Sequence, residues 1–212
     1  MKFQIDRLHF NALRVAAPRD EVRYYLNGFH LHRNGRWWAE STNGHRLLRV
    51  PLERLDDGPE PESTDGLIFR FTDQKKWPDH FGETLTLNVH PVEPDSAQIA
   101  ACSVTGHCKP TTKRAAERHD WHERIDGRYP DTDRIMPDGP KKDATFSALA
   151  FNPEYLADVP HELAPGGWGI RVYATNDRNS GCADVRDGGP ISPLWVETFD
   201  ETVRYIVMPC RM

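Results

Sequence analysis

The stretch Tyr205-Ile206-Val207-Met208-Pro209-Cys210-Arg211-Met212 closes the sequence with an apolar run and a Met-Pro step. The ends of protein chains are usually polar and frayed unless other parts of the structure hold them in place. We therefore predict that this stretch is a strand docked in a sheet. Its residues Met208, Pro209 and Cys210 should then lie on the rim of a pocket, where a partner can reach them.

Composition limits the classes of protein to which the chain can belong. The 212 residues include 17 prolines and 15 glycines, which favours many turns and little long helix. The net charge of −5 argues against a uniformly basic surface, although it is compatible with a basic patch on one face. The four cysteines are scattered, and no signal peptide or membrane-spanning run is visible. We therefore expect a reduced, cytoplasmic protein with no membrane partner.

A β-α-β-β-β order is visible in the first quarter of the chain. Phe3 and Ile5 alternate with polar residues as in a strand, and a helix is predicted over 7–17, where Pro18 stops it. Three strands should follow, and Asn34-Gly35 is a strong signal for a hairpin between the first two. We place these strands at 22–30, 37–41 and 45–50.

The same order repeats twice more along the chain. In the second unit, a strand at 66–71 precedes a segment at 72–81 that is at best a short helix, because Pro78 interrupts it. In the third unit, Asn152 and Pro153 are typical of a helix start. The remaining strands are predicted at 83–90, 97–106, 114–125, 144–150, 168–174, 193–199 and 204–210. Repetition of this kind predicts a modular α+β architecture.

The first predicted helix has two distinct faces. Its apolar stripe, which should face the core, consists of Phe10, Leu13 and Ala17. An adjacent stripe gives the helix a basic edge and consists of Arg7, Asn11 and Arg14. Taken alone, such an edge is usually an ordinary solvated helix face.

No catalytic set is recognisable in the sequence. It lacks a phosphate-binding glycine loop, a nucleophile elbow and a His-Glu-x-x-His motif, so we expect neither an enzyme nor a cofactor. The best metal candidate is the set Cys102, Cys108, His119 and His122. Five residues separate its two cysteines, which is more than zinc sites usually have. We favour the alternative of buried thiols and ordinary strand histidines, and expect no metal.

Five short segments occur in the order and at the spacing of one known protein family. They are Arg23-Tyr24-Tyr25-Leu26-Asn27-Gly28, Thr42-Asn43-Gly44-His45-Arg46-Leu47, Gly127-Arg128-Tyr129-Pro130-Asp131 with Arg134-Ile135-Met136-Pro137, Phe151-Asn152-Pro153-Glu154-Tyr155-Leu156-Ala157-Asp158-Val159, and the terminal stretch from Tyr205. Together they resemble the bacterial DNA polymerase III β sliding clamp over nearly the whole chain. The resemblance implies a DNA-clamp fold, in which β-α-β-β-β half-units place their helices on one face of antiparallel sheets. It also implies a ring-shaped processivity factor that encircles duplex DNA and tethers a polymerase.

The chain departs from the family pattern in its number of units. Clamps of this family have three domains per subunit, each made of two half-units. Residues 1–137 resemble the middle domain, with half-units at 1–57 and 66–137, and residues 138–212 resemble the second half of the last domain. The family ring has twelve half-units, so three per chain predict a homotetramer. An odd number per chain, however, breaks the alternation between the two kinds of junction in such a ring.

DNA contacts are the first set of site residues that the resemblance implies. A ring holds DNA by topology, so its bore needs only weak, sequence-independent phosphate contacts to double-stranded DNA. Arg7 and Arg14, on the edge of the first helix, are predicted to supply them. The other candidates are Arg23, Tyr24, Tyr25, Lys75 and Lys76. The helix of the third unit is acidic and should attract DNA little.

A partner groove is the second implied site. In this family, a short polymerase peptide inserts apolar side chains between the middle and last domains. Matching by residue predicts one wall from Leu26, Thr42, Gly44, His45, Arg46, Leu47 and Pro137. The other wall is predicted from Ile206, Met208, Pro209 and Cys210. DNA polymerase, other proteins with clamp-binding motifs and a clamp loader are the expected partners.

An alternative from the regulatory class stays open. A clamp-like decoy would bind clamp-interacting peptides without encircling DNA. It would keep the groove and dispense with a basic bore. The acidic side chains of the third-unit helix, Glu154, Asp158 and Glu162, favour this alternative.

Overall fold

The computed structural model describes most of the chain. The described residues are 1–59, 61, 64, 67–71, 76–90, 101–108, 117–137, 139–141, 151–164, 170–175, 193–197 and 202–208. Neither of the two α-helices in these ranges is long and apolar enough to cross a membrane.

The first strand leads directly into the first helix. β1 spans Lys2–Asp6, and α1 spans Arg7–Ala16. Asp6 caps the helix, because its Oδ1 accepts a hydrogen bond from the backbone N–H of Leu8 at 2.7 Å. The helix ends just before Pro18, as the sequence predicts.

Four strands complete the first unit. They are β2 Gly28–Asn34, β3 Arg36–Thr42, β4 Arg46–Pro51 and β5 Glu53–Arg54. β2 and β3 form the hairpin that Asn34-Gly35 predicts. Gly35 takes a φ of 70° in the turn, a conformation that glycine adopts without steric cost.

The strand predicted at 22–30 begins only at Gly28. Tyr24–Leu26 is instead a short 3-10 helix. The Asn27 side chain accounts for the difference, because its amide oxygen accepts from the Glu21 N–H at 2.9 Å and its amide nitrogen donates to the Glu21 carbonyl at 3.1 Å. These two bonds close a local loop. The prediction of an extended strand over 22–27 is therefore wrong.

The second unit has four strands and no α-helix in its described residues. The strands are β6 Ile68–Arg70, β7 Thr84–Val89, β8 Ala101–His107 and β9 Glu117–Glu123. Residues 76–81 contain no helix, and Asn11 of α1 instead bonds both the N–H and the carbonyl of Trp77 at 2.9 Å. Residues 72–75, where the short helix was predicted to begin, lie outside the described ranges.

The third unit packs against the first. Its elements are β10 Pro140–Lys141, α2 Pro153–Leu163, β11 Arg171–Thr175, β12 Leu194–Glu197 and β13 Arg204–Val207. α2 starts where the sequence predicts, because Asn152 Oδ1 accepts from the N–H of Glu154 at 3.0 Å. The strand predicted at 144–150 lies outside the described residues.

The strands form two antiparallel sheets. The five-stranded sheet has the order β5-β1-β7-β8-β9, and the eight-stranded sheet has the order β10-β11-β12-β13-β4-β3-β2-β6. The first two units exchange their first strands, because β1 pairs with β7 and β6 pairs with β2. The third unit joins through β13, which pairs with β4. The predicted α+β class with antiparallel sheets is confirmed.

One hydrophobic core connects both sheets and both helices. The apolar stripe of α1 is buried as predicted, with Phe10 and Leu13 fully enclosed. Phe10 packs edge-on against Phe29 of β2, and their ring centroids are 5.6 Å apart. Val159 of α2 belongs to the same cluster. The core therefore fixes the third unit against the first.

Candidate functional site

A groove lies where the turn at 42–46 meets the end of β13. It encloses about 190 Å³. Its lining residues are Arg23, Tyr25, Leu26, Thr42, Gly44, Arg46, Leu47, Pro130, Ile135, Ile206 and Met208. Seven of these eleven belong to the predicted partner groove, and two more, Arg23 and Tyr25, were predicted to contact DNA. The structure thus brings most of the predicted groove residues together.

Strand pairing forms the floor of the groove. Ile206 of β13 lies opposite Leu47 of β4, and each side chain is buried. The Met208 N–H donates to the His45 carbonyl at 2.8 Å, which extends the pairing beyond the end of β13. The Met208 side chain is 37% exposed and is therefore accessible at the rim. The terminal strand is docked in a sheet, as predicted, as far as the described residues reach.

The turn at 42–46 is closed by its own side chains. The Thr42 hydroxyl donates to the Arg46 carbonyl at 2.7 Å and accepts from the Gly44 N–H at 3.0 Å. Asn43 Oδ1 accepts from the N–H of His45 at 3.0 Å. Bonds of this kind between side chain and backbone hold a turn in one conformation.

Arg23 lies across this turn at the polar rim of the groove. Its Nη2 donates to the Asn43 carbonyl at 3.3 Å, and its Nε donates to the Glu21 carboxylate at 3.1 Å. The hydrogen bond from Arg23 lowers the pKa of Glu21, which keeps this exposed pair charged. Gly44 has a φ of 86°, and a Cβ there would lie 2.9 Å from the Arg23 guanidinium. Arg23 can reach the turn because Gly44 has no side chain.

Pro130 and Ile135 form a third wall that the sequence did not predict. Ile135 is 48% exposed, so the wall presents an apolar side chain to solvent. The two residues flank the short 3-10 helix Thr132–Arg134. They come from the turn-rich stretch 126–140, where no periodic pattern marks a groove residue.

Arg49 holds this third wall from the side of the sheet. It is fully buried, and its Nε lies 2.5 Å from Glu40 Oε1. Its Nη2 donates to Asp133 at 2.8 Å and to the Thr132 hydroxyl at 3.0 Å. Thr132 in turn donates to Glu40 Oε2 at 2.7 Å. This network fastens the 3-10 helix to β3 and β4.

Both carboxylates of the network are held in their charged form. Burial raises the pKa of Glu40, but the His30 ring, whose Nδ1 lies 3.6 Å from Glu40 Oε2, and the charge of Arg49 outweigh burial, so the pKa lies below its usual value. Burial also raises the pKa of Asp133, and hydrogen bonds from Arg49 and Asn34 more than reverse that effect. The buried guanidinium of Arg49 therefore faces two carboxylates that stay ionised at neutral pH.

Arg46 and His45 connect the turn to α2. The Arg46 guanidinium lies 4.8 Å from the centroid of the Tyr155 ring and 3.5 Å from the Asp158 carboxylate. It also donates to the Val15 carbonyl of α1. The His45 ring stacks on Tyr155, with the two centroids 6.2 Å apart. His45, predicted as a groove residue, is not among the lining residues and packs against α2.

The other predicted groove residues lie elsewhere. Pro137 is buried and does not line the groove, and Pro130 with Ile135 takes that side instead. Pro209 and Cys210 lie outside the described residues.

The basic edge predicted for α1 is covered. Arg7 is only 7% exposed, and its Nη1 lies 2.9 Å from Asp79 Oδ1 and 3.2 Å from the Trp77 carbonyl. Asn11 is buried against the same segment. The prediction that Arg7 is exposed for DNA contact is wrong, because residues 76–79 pack on this edge of the helix.

The remaining DNA-binding candidates have varied surroundings. Arg14 is half-buried, with its guanidinium 5.4 Å from the centroid of an aromatic ring. Lys76 is exposed and forms an ion pair with Glu162 of α2. Tyr24 is exposed beside Tyr25. Lys75 lies outside the described residues.

The four residues of the candidate metal site occupy ordinary structural positions in the sheet. Cys102 and His122 are buried opposite each other in the β8–β9 ladder. Burial raises the pKa of the Cys102 thiol and lowers the pKa of His122 to about 4. His119 hydrogen-bonds the Thr105 hydroxyl at 3.0 Å. These four residues do not form a group whose donor atoms converge.

Another cluster has donor atoms close enough to hold a metal. It consists of His30, His32 and Glu40, and it is the one such group among the described residues. The Arg49 guanidinium already pairs with that carboxylate at 2.5 Å. A second cation at the same carboxylate would be repelled, so we assign no metal here.

No protein-family model matches the chain, and no curated protein matches it. Solved structures do match it over its whole length, and they show that the fold is that of a DNA clamp. Within that class, the chain is similar in fold to the β subunit of bacterial DNA polymerase III, the sliding clamp, as the sequence resemblance implies.

Three clamps illustrate the similarity, and the chain spans 66% of the length of each. The sliding clamp of Pseudomonas aeruginosa, solved with a ligand, has a TM-score of 0.57 and 17% identity over 100% of this chain. The β subunit of Thermotoga maritima has a TM-score of 0.54 and 14% identity over 100% of this chain. The clamp of Bartonella birtlesii bound to griselimycin has a TM-score of 0.53 and 14% identity over 100% of this chain.

Proposed function

We propose that this chain is a shortened sliding clamp, a processivity factor without enzymatic activity. It binds a short peptide of a DNA polymerase in its groove, and several copies close into a ring around double-stranded DNA. The observation that supports this best is the groove itself. Residues chosen from the clamp resemblance alone, from both ends of the sequence, line one cavity.

The groove suits an extended peptide with apolar side chains. Leu26, Leu47 and Ile206 give it an apolar floor, and the flexible, exposed Met208 adapts to what is bound. Arg23 places a cation at the rim, where an acidic side chain or a terminal carboxylate of the peptide can pair with it.

Residues 1–137 form one clamp domain in this proposal, and residues 138–212 form half of another. The ladder between β4 and β13 supports a fixed junction between them. The proposed DNA contacts are Arg14, Arg23, Tyr24, Tyr25, Lys75 and Lys76. Arg7 is withdrawn from this set because it is buried.

A second candidate function is the clamp-like decoy. Two observations favour it: α1 does not present Arg7 to solvent, and Glu154 and Asp158 of α2 are exposed. A decoy needs the groove but no bore. The two candidates therefore share peptide binding and differ in whether DNA is held.

Peptide binding is tested first, with a fluorescein-labelled clamp-binding peptide of a bacterial replicative polymerase and fluorescence anisotropy. Met208→Asp and Ile135→Asp each place a charge on an exposed groove side chain. We expect each to raise Kd at least tenfold, about 1.4 kcal/mol. Leu55→Asp is the matched control, because Leu55 is similarly exposed and lies outside the groove. Equal Kd values for all three variants and the parent would overturn the groove assignment.

Topological binding to DNA then separates the two candidates. A clamp closed or loaded on nicked circular DNA is retained during gel filtration and is lost when the circle is cut, because a ring slides off a free end. Retention that also withstands raised salt supports the ring, since phosphate contacts alone weaken steeply with salt. No retention on the circle, together with normal peptide binding, supports the decoy.

A further inference from the structure

β9 is the edge strand of the five-stranded sheet. It pairs with β8 along one side. No strand within the described ranges pairs with its other side. An open edge presents a row of backbone donors and acceptors that another strand can use. The open edge of β9 is therefore able to pair with a further strand.

The internal repeat shows which strand β9 corresponds to. After β4, the chain crosses to the other sheet, where Arg54 of β5 lies opposite Phe3 of β1. After β9, the chain makes the same crossing, and Arg124 bridges Phe69 of β6. In each case the segment pairs with the first strand of its own unit. β9 thus holds the position in the second unit that β4 holds in the first.

The corresponding edge of β4 is not open. It is covered by β13, the last strand of the third unit, in an antiparallel ladder of four residue pairs. The fold therefore joins the first and third units by pairing the fourth strand of each. β4 and β13 have strands on both sides, which leaves β9 as the one fourth strand with an open side in the described part of the chain. We propose that β9 pairs, around a two-fold axis, with the β9 of a second copy of this chain.

The side chains of β9 suit such an interface. Trp121 is 56% exposed, and its ring stacks on His90 with centroids 5.3 Å apart. A large aromatic side chain held in place on an exposed sheet face is typical of a protein interface. The rest of that face carries Glu117, His119 and Glu123, so carboxylates and an imidazole are available to pair across the interface.

The position of the two-fold axis follows from the charges. Residues opposite each other in an antiparallel pair point to the same face, so the axis has to lie midway between one residue and the same residue of the copy. At Trp121, the axis pairs the two indoles and sets His119 opposite Glu123 of the copy. At Asp120, it would set Glu117 opposite Glu123 and bring two buried aspartates together. Like charges directly opposite destabilise a sheet, so we place the axis at Trp121.

This pairing rests on the proposed ring and gives it a geometry. In two copies joined at β9, the two kinds of junction alternate without a break along all six half-units. The reason is that the two-fold axis joins like ends of the copies and reverses the order of units in the second copy. Two such pairs supply the twelve half-units of a clamp ring. Identical chains with three units each can then close, through two different two-fold contacts rather than one repeated head-to-tail contact.

The solution mass is the first test, and it requires neither DNA nor peptide. Trp121→Glu places two like charges at the axis, and we expect it to halve the particle mass measured by light scattering. Leu55→Glu is the control, because Leu55 is 43% exposed beside the opposite edge of the same sheet. A parent protein that is monomeric, or a Trp121→Glu variant of unchanged mass, would overturn the proposal.

Disulfide formation tests the register. His119→Cys and Glu123→Cys are made separately, and the parent protein accounts for links through its own cysteines. A disulfide-linked dimer should form on oxidation of the mixed variants, and neither variant should form it alone. The absence of a link in the mixture would contradict the pairing. Peptide binding by Trp121→Glu is measured in parallel, so a failure of the groove and a failure of the β9 contact are distinguishable.

Discussion

Two glycines, Gly35 and Gly44, have similar positive φ angles but different surroundings. Substituting each one distinguishes the effect of backbone strain from the effect of a displaced groove residue. Gly35 has a φ of 70° in the β2–β3 hairpin, and Gly44 has a φ of 86° in the turn at the groove. A Cβ at Gly35 would meet nothing within 4 Å. A Cβ at Gly44 would meet the Arg23 guanidinium at 2.9 Å. The pair therefore offers a substitution with a built-in control.

We expect Gly44→Ala and Gly35→Ala to destabilise the fold equally and to differ in peptide binding. Each should cost about 1 kcal/mol of unfolding free energy, because alanine is strained at positive φ. Only Gly44→Ala displaces Arg23, so it alone should raise the peptide Kd, by roughly fivefold or about 1 kcal/mol. Urea unfolding and fluorescence anisotropy measure the two effects. Equal Kd values for both variants would show that the position of Arg23 does not matter.

A buried histidine makes the stability depend on pH. Burial lowers the pKa of His122 from 6.5 to about 4, so the folded protein keeps the ring neutral while the unfolded chain takes up a proton below pH 6.5. Stability is therefore complete above pH 6.5, falls as the pH drops from 6.5 to 4, and levels off below. The full loss from this residue is roughly 3 kcal/mol.

His122→Phe should flatten this part of the pH profile. The new ring would join the aromatic cluster of Phe10, Phe29 and Phe71 that already surrounds His122. Urea unfolding at several pH values between 7 and 4 gives the slope. His107→Phe is the control, because His107 is exposed and should leave the slope intact. A parent protein with equal stability at both ends of this range would contradict the prediction.

At the scale of elements, the third wall of the groove is held in place by the buried, positively charged Arg49. Arg49→Met leaves the buried Glu40 carboxylate without its cation, which should cost about 3–5 kcal/mol of unfolding free energy. It should also weaken peptide binding, because the 3-10 helix beside Ile135 loses its anchor. Arg171→Met breaks the exposed pair with Glu197 and should leave the free energy of unfolding nearly unchanged, because solvent screens this pair. Similar losses for the two variants, measured by urea unfolding, would show that the network is not an anchor.

Elements that the sequence predicts well are those decided by neighbouring residues. The Asn34-Gly35 hairpin and the ends of α1 depend on local turn and cap chemistry, and the structure confirms them. The stretch 22–27 was mistaken for a strand because Asn27 bonds back to Glu21 through its side chain, which no pattern of alternation reveals.

At the scale of the whole molecule, the solvent exposure of polar side chains is harder to predict from the sequence. Arg7 and Asn11 look like a solvated edge until residues 76–79, far along the chain, pack over them. Pro130 and Ile135 lie at the groove because the buried Arg49 bonds Thr132 and Asp133 between them. These two residues are also far from Arg49 in sequence. Periodicity reports which face of a helix is apolar. It does not report what another part of the chain lays across the polar face.

Most of the groove was predictable for a different reason. Its two predicted walls came from the resemblance to clamps, which carries long-range information that the residues alone lack. The β4–β13 ladder brings those walls together at Leu47 and Ile206. Where the chain differs from the family, as in the second unit, the resemblance does not predict the local structure.

The ladder between β4 and β13 also has a consequence for synthesis on the ribosome. β4 is made early and β13 late, so the nascent chain carries an uncovered edge at Arg46–Pro51 until the last strand emerges. At elongation rates of about 5–20 residues per second, this interval is on the order of ten seconds. During that time, neighbouring nascent chains on one message can pair through the wrong strand. In the proposed function, a chain that still lacks β13 also lacks the Ile206 side of the groove and should not bind the polymerase peptide.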